Sequence, residues 1–466
     1  MERLSGLDAS FLYIESPTQP LHVCSILELD TSSVPGGYTF ERLRDDLATR
    51  ITAIPELRAK LADSQLNLDY PVWVDDDGFD LDRHLLRIEL PAPGGRRELA
   101  EICGHIATCA LDRDRPLWEM WVIEGVAGTD PRTGGLLAVM TKVHHAAVDG
   151  VTGANLLAQL CTAAPDMPPP EPVEGPGSGG RLQIAAGGLM RFAARPWQLA
   201  NLMPTTVATI VKTLLRAGDG LTMAAPFTAP ATRFNTSITA DRNIALMQLN
   251  LDDVKKVKDR FNVTVNDVVM ALCAAVLRWF LSDYGELPAK PLVAMVPVSV
   301  HDKSDRPGHN QLSGMFCSLE THIRDPAERL RAIARADAAA KNHSSAINPT
   351  LLQDWAQLAA RAVFGAVFRL VADSPLIANP VHNLIVSNVP GPQATLYFLG
   401  CEVEAMYPLG PLFHGCGLNI TVMSLDGKLN VGVISCPDLL PDLWRLVDDF
   451  DVALQELLDC AVPVRT

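Results

Sequence analysis

The run His144-His145-Ala146-Ala147-Val148-Asp149-Gly150 places two imidazoles, a carboxylate and a glycine within one turn of backbone. An unperturbed histidine titrates near pH ~6.5, so it takes a proton at neutral pH and returns it later in the same cycle. That chemistry suits attack of an alcohol or thiol on a thioester. Successive strand side chains point to opposite faces, so one ring at most is expected to meet substrate. We assign His145 as the general base and His144 as mainly positional, with the reverse assignment as the alternative. Asp149 reads equally as a helix N-cap and as a catalytic group, and Gly150 permits close backbone approach. A metal site is a third reading, because His and Asp ligate zinc. No further His/Cys pair stands at chelating spacing nearby, and no metal is expected.

The flanking residues say what must hold this motif. Leu136 to Val143 is a short apolar run rich in strand formers after Gly134-Gly135, so the histidines fall at a strand's end. Val151 to Leu160 carries helix formers, which puts Asp149 and Gly150 at a strand-to-helix corner. Upstream, Leu117 to Val126 is a second strand, separated by a turn signal containing Gly128 and Asp130-Pro131. If the two pair as a hairpin, Trp118 lies opposite Val143 and Pro116-Leu117-Trp118 lies beside the histidines. In the second half, Asn243 to Leu249 alternates as a strand and Asp252-Asp253 is expected to cap the next helix. Val263-Thr264-Val265 leads into Asn266-Asp267 and a long apolar helix through Phe280. Capping alone accounts for Asn266 and Asp267, and a site-supporting role is the alternative. Asp426-Gly427 between Asn419–Leu425 and Lys428–Ser435 signals a two-residue hairpin.

The His-His-x-x-x-Asp-Gly run, Pro116-Leu117-Trp118, Asn266-Asp267 and the opening Leu4-Ser5-Gly6-Leu7-Asp8-Ala9-Ser10-Phe11 together resemble the bacterial wax ester synthase/diacylglycerol acyltransferase family. The resemblance extends through Pro55-Glu56-Leu57-Arg58, Asn310-Gln311-Leu312-Ser313-Gly314-Met315 and Ser387-Asn388-Val389-Pro390-Gly391-Pro392, so it covers nearly the whole chain. The histidine motif alone is shared with condensation domains and chloramphenicol-acetyltransferase-like enzymes. One departure is His309, which stands where the family pattern has the glycine of a Gly-Asn pair. The resemblance tips Asn266 and Asp267 toward a supporting role.

Composition agrees with a globular enzyme. The chain has 466 residues, 48% hydrophobic and 20% charged, enough for two domains with substantial cores. A net charge of −15 argues against a nucleic-acid partner. The ten cysteines form no Cys-x-x-Cys pair, and Cys273 and Cys317 sit inside apolar runs, which fits a reducing compartment and no disulfides. The first residues show no signal peptide, and no uninterrupted apolar run reaches membrane-spanning length, so a cytoplasmic location is expected.

Arg181 to Arg216 carries Arg181, Arg191, Arg195, Lys212 and Arg216, no acid, and mostly apolar residues otherwise. It reads either as short interfacial helices broken at Pro196 and Pro204 or as a connection packed on the body. Trp355 to Val371 is a second amphipathic candidate, more readily a core helix. Ala164 to Gly180 is so rich in Pro and Gly that it reads as a linker. The division expected is therefore 1–164, a connecting segment 165–241, and 242–466.

Together these readings predict an α/β protein of the two-domain CoA-dependent acyltransferase type, chloramphenicol-acetyltransferase-like, with mixed sheets and an interdomain channel. That architecture is implied by the resemblance. The reaction implied is transfer from a long-chain acyl-CoA to diacylglycerol, or to a long-chain alcohol to give a wax ester. Acyl-CoA is then a substrate and no cofactor is needed. Peripheral contact with the inner membrane face or lipid inclusions is expected. Asn266 or a backbone N–H is the guess for the oxyanion donor. A carrier-dependent condensation enzyme and a catalytically silent lipid-binding protein are the competing classes.

Overall fold

A computed structural model of the chain describes residues 2–63, 69–127, 136–147, 159–177, 184–190, 227–299, 312–346 and 380–461. Asp149, Gly150, His309 to Gln311, 355–371 and most of 181–216 lie outside the described residues.

In chain order the strands are β1 (Glu2–Arg3), β2 (His22–Asp30), β3 (Ala59–Ala62), β4 (Val72–Asp75), β5 (Leu85–Glu89), β6 (Trp118–Val126), β7 (Leu136–His144) and β8 (Cys161–Thr162). The second half adds β9 (Asn243–Asn250), β10 (Val293–Ser299), β11 (Leu312–Ser318), β12 (Leu384–Val389), β13 (Tyr397–Phe398), β14 (Cys401–Leu409), β15 (Leu418–Leu425) and β16 (Lys428–Ser435). One sheet runs β5-β6-β7-β2-β14-β13-β8, a second runs β11-β10-β12-β15-β16-β9, and β1-β4-β3 forms a small third. Both large sheets are mixed. β5 pairs parallel with β6 in the first, and β12 pairs parallel with both β10 and β15 in the second.

The expected hairpin is present. β6 and β7 pair antiparallel with Trp118 opposite Val143, the register counted outward from the turn. The second hairpin is present too, with β15 and β16 joined at Asp426-Gly427, both at positive φ as a tight hairpin turn requires.

Sheet membership crosses the chain division drawn at Ala164. β14, far into the second half, pairs along β2 from Glu402 opposite Asp30 to Leu409 opposite Cys24. The halves are therefore joined by a strand placed in the other's sheet as well as by the covalent connection. The proline-rich connection runs exposed along the first half. Arg50 donates to Met167 O (2.7 Å), Val173 N–H to Thr52 O (3.0 Å) and Gly177 N–H to Asp75 Oδ2 (2.9 Å).

Two faces of the first sheet are covered. Leu43, Leu47 and Ile51 of helix α2 (Phe40–Ile51) pack with Leu27, Val122 and Val139 on one face. On the other, Leu99, Cys103 and Ile106 of helix α3 (Arg96–Thr108) pack with Ile26, Met140, and Ile244, Leu246 and Ile434 from the second half. This second cluster belongs to both halves, so opening them exposes core. Each such side chain contributes about 1.5–3 kcal/mol by leaving water. Gly104 allows the approach, since a Cβ there would fall 2.4 Å from Arg242 O.

The Val265–Asp283 helix is long and apolar enough to cross a membrane by length and composition. Here it is a core helix, with Val268 to Leu277 all buried against the second sheet and the helices beside it. Its N-cap is Thr264, whose hydroxyl accepts from Asp267 N–H (3.2 Å) while the Asp267 carboxylate accepts from Thr264 N–H (2.7 Å). The preceding helix, Leu251–Phe261, is capped by Asn250 rather than by Asp252-Asp253, which occupy its first turn. The side chain that caps must stand one residue before the first helical position, and in both helices a neighbouring Asn or Thr holds that place.

Candidate active site

The opening residues build a short helix with a purpose. Ser5 and Asp8 form a reciprocal capping box at the start of helix α1 (Gly6–Ile14), which delivers Phe11 on one turn and Glu15 at its end. Glu15 is largely buried and is a meeting point. Its Oε1 accepts from Leu21 N–H (3.2 Å) and stands 3.3 Å from His144 Nε2 and 3.7 Å from His22 Nε2. Its Oε2 accepts from Arg113, which also donates to Leu12 O (2.9 Å). Burial alone would raise the Glu15 carboxyl, but the His144 ring, Arg113 and the Leu21 N–H together hold it well below the ordinary carboxylate range.

His144 and His22 are cross-strand partners on β7 and β2, with rings 6.1 Å apart in an edge arrangement. His144 Nδ1 accepts from Ala146 N–H (3.0 Å), which places the neutral ring's proton on Nε2, facing Glu15. His22 is driven down to about 3, first by burial and then by the Lys142 charge, so it stays neutral. Lys142, two residues before His144 on the same face, is wholly buried. It pairs with Glu119 (2.8 Å) and donates to Ile106 O (3.1 Å) and Cys109 O (3.0 Å), closing the C-terminal end of α3.

His145 leaves the strand in another direction. Its N–H donates to Leu21 O (2.9 Å), and its ring stacks on Phe11 with centroids 4.0 Å apart and planes 15° apart. The two rings of the motif thus diverge, as strand alternation requires. One joins the Glu15 cluster and the other lies on an aromatic face.

Pro116-Leu117-Trp118 is beside the histidines in a supporting capacity. Leu117 O accepts from His144 N–H (3.0 Å), Leu117 packs with Leu4, Ala9 and Ala146, and Trp118 Nε1 donates to Leu57 O (2.8 Å) from within the core. His84 stacks on Trp118 (4.7 Å) and its Nδ1 lies 2.8 Å from Trp118 O. The Pro55-to-Arg58 block thereby acts as a socket for Trp118.

Asn266 and Asp267 are not brought to this cluster by any described contact. Asn266 Nδ2 donates to Asp337 Oδ2 (3.1 Å) and Asp267 is spent on the capping box, so the side chains tie the helix start to its neighbour in the second half. Asp337 is pushed up to about 6, first by burial, with Asp267 contributing and the Cys317 thiol opposing. The Asn266 amide guessed as an oxyanion donor therefore has a structural partner. Sequence reasoning missed Glu15, His22, Arg113 and Lys142. Only Phe11 carried a signal, as the last residue of the opening block.

A family model described as the wax ester synthase/diacylglycerol acyltransferase catalytic domain matches residues 4–269, and its C-terminal companion matches 309–458. The chain belongs to this family. A Mycobacterium tuberculosis protein named as a diacylglycerol O-acyltransferase is 61% identical over 99% of this chain and 91% of its own length. The tgs2 protein of the same organism, also named as a diacylglycerol O-acyltransferase, is 33% identical over 98% of this chain and 99% of its own. Among solved structures, the wax ester synthase/diacylglycerol acyltransferase of Marinobacter aquaeolei VT8 aligns over 99% of this chain and 100% of that one, with a TM-score of 0.72 at 29% identity. The first condensation domain of the calcium-dependent antibiotic synthetase shares the fold over 100% and 97% of the two chains, with a TM-score of 0.59 at 16% identity. This acyltransferase thus has the two-domain mixed-sheet fold that the resemblance implied.

Proposed function

We propose that this acyltransferase moves a long-chain acyl group from acyl-CoA to the free hydroxyl of diacylglycerol, with His145 as general base. One observation carries the assignment between the two histidines. His144 holds Ala146 N–H through Nδ1 and faces Glu15 through Nε2, so taking up a proton would cost it the bond that shapes the turn. His145 is the ring outside that cluster. It removes the hydroxyl proton as oxygen attacks the thioester carbonyl, and the imidazolium then gives that proton to the departing CoA sulfur. The C–S bond breaks as the C–O bond forms, and no acyl-enzyme is needed. Asp149 and Gly150, which close the motif in sequence, hold the loop in this reading. The acyl channel between halves, and the diacylglycerol acceptor in preference to a long-chain alcohol, complete the proposal. The names of the relatives support both acceptors.

The substrates dissolve in membranes, and we place the enzyme in the cytoplasm, touching the inner membrane face or lipid inclusions. Support comes from the acid-free cationic stretch and from its described helix at 184–190, where Leu189 is 58% and Met190 70% exposed. The deciding experiment incubates the purified enzyme with labelled palmitoyl-CoA and either diacylglycerol or hexadecanol, and resolves the products. Triacylglycerol from the first incubation supports the reading, wax ester from the second alone shifts it to the alcohol, and neither product rejects it.

A further inference from the structure

The residue that fixes the backbone of His145 is Leu21, and Leu21 follows a tight turn that the other half of the protein grips. Ser16 and Gln19 close this turn on each other, with Gln19 N–H to Ser16 O at 2.9 Å and Ser16 N–H to Gln19 O at 3.2 Å. Glu15 stands immediately before it, and Leu21 and His22 after it. The side chain of Gln19 is buried and used at both ends. Nε2 donates to Ile14 O, the last residue of α1 (3.0 Å), and Oε1 accepts from the backbone N–H of His414 (2.7 Å).

His414 lies between β14 and β15, in a turn closed by Phe413 and Cys416, and Gly415 takes the positive φ this turn requires. The His414 ring is fixed as well. Nδ1 accepts from Ile238 N–H (3.3 Å), which places the neutral ring's proton on Nε2, and Nε2 stands 3.1 Å from Thr18 Oγ1. Arg242 donates to Thr18 O (3.1 Å) while its other nitrogen binds the carbonyls of Ala240 and Asp241. His414 and Arg242 of the second half thus hold Thr18 and Gln19 of the first.

We infer that Gln19, clamped by the His414 backbone, is a positioning residue for acyl transfer, through which the second half sets the Leu21 carbonyl and hence the His145 turn. The inference rests on the reading of His145 as the base. Its consequence is that the reacting histidine is in place only while the two halves are closed on each other. Small displacements at a reacting group are costly, so the clamp should appear in turnover rather than in substrate binding.

The test uses the full chain with Gln19→Met, which keeps volume and removes both hydrogen bonds, with His414→Pro, which removes the backbone N–H that Gln19 accepts from at a turn position proline fits, and with the pair. The acyl donor is palmitoyl-CoA, and release of CoA is followed. Gln19→Met should lower kcat by roughly tenfold with KM for palmitoyl-CoA within about twofold. His414→Pro should lower it less, since the Gln19 bond to Ile14 O remains, and the double variant should be no worse than Gln19→Met, since both break one clamp. Amide exchange should rise in the peptides covering 20–24 and 143–147. Wild-type kcat with wild-type exchange in folded Gln19→Met protein overturns the inference, as does a loss confined to KM. If Gln19→Met fails to fold, His414→Pro decides by the same measurements. If the wild type releases no CoA to any acceptor, the functional reading fails, and the clamp stands or falls on the exchange result alone.

Discussion

Oε1 of Glu15 stands 3.3 Å from Nε2 of His144, and the ring of His145 stacks on Phe11. The Glu15 carboxylate therefore supports the first histidine, whose own lone pair supports the turn. The arrangement makes His144 the anchor of a short corner and presents His145 from it.

His145→Ala should reduce ester formation by roughly 10²–10⁴-fold, the usual contribution of a general base, with little change in melting temperature. His144→Ala should cost less activity but more stability, because it leaves Ala146 N–H and the Glu15 carboxylate without that ring. Near wild-type turnover in folded His145→Ala protein would reject the assignment.

Glu15→Gln keeps an acceptor for Leu21 N–H and removes the charge facing His144 and Arg113. Turnover should fall by about tenfold, and the effect on acid stability follows from sign. A carboxyl held below its ordinary value contributes stability that is full above the ordinary range and is lost as pH falls through it, because the unfolded chain takes up the proton first. Glu15→Gln should flatten that loss below about pH 4.5. A melting profile parallel to wild type from pH 6 down to 3 would show that Glu15 contributes nothing there.

His22 acts in the next window up. Its folded value of about 3 lies below the ordinary 6.5, so between these limits the unfolded chain binds a proton that the folded one does not. Stability is therefore full above pH 6.5 and falls as pH drops, by up to about 1.4 kcal/mol per pH unit. His22→Phe, neutral at every pH, should remove this one-proton slope. Unfolding titrations at pH 7 and pH 5 that give the same difference in the variant and in wild type would contradict the prediction.

The legible parts of this protein were those specified by neighbours in sequence. Strand alternation and one turn signal were enough to put Trp118 opposite Val143 and to bring Pro116-Leu117-Trp118 to the histidines. Glu15 was not legible, because it reaches His144 across 129 positions of chain and looks locally like an ordinary helix end. The placement of β14 beside β2 was hidden for the same reason, since pairing across that distance leaves no local pattern. Asn266 and Asp267 were visible as a helix start, but their partners, Asp337 and Thr264, separate a cap from a substrate contact only once packing is known.

Asp149 lies outside the described residues, and its prediction rests on the motif. If it anchors the loop by accepting backbone N–H bonds, Asp149→Asn should retain more activity than Asp149→Ala, since the amide oxygen still accepts. Equal and complete loss in both, at unchanged melting temperature, would point to a required negative charge.

The stretch from Arg181 to Arg216 offers the last prediction. Its described helix at 184–190 faces both ways. Ile184 is buried against Val72 and Val74, whereas Leu189 and Met190 are exposed. A segment rooted in the body that turns apolar side chains to solvent, in a protein of net charge −15, fits attachment to an anionic lipid surface through its own local cations. Each such cation contributes about 1 kcal/mol near that surface and is screened by salt. Replacing Arg191, Arg195, Lys212 and Arg216 with Gln should reduce sedimentation with anionic vesicles and turnover of dispersed diacylglycerol. Turnover of a short water-soluble alcohol should hold, because His145 and the Glu15 cluster are untouched. Vesicle binding that survives all four replacements would make this stretch a connector and move attention to residues 355–371.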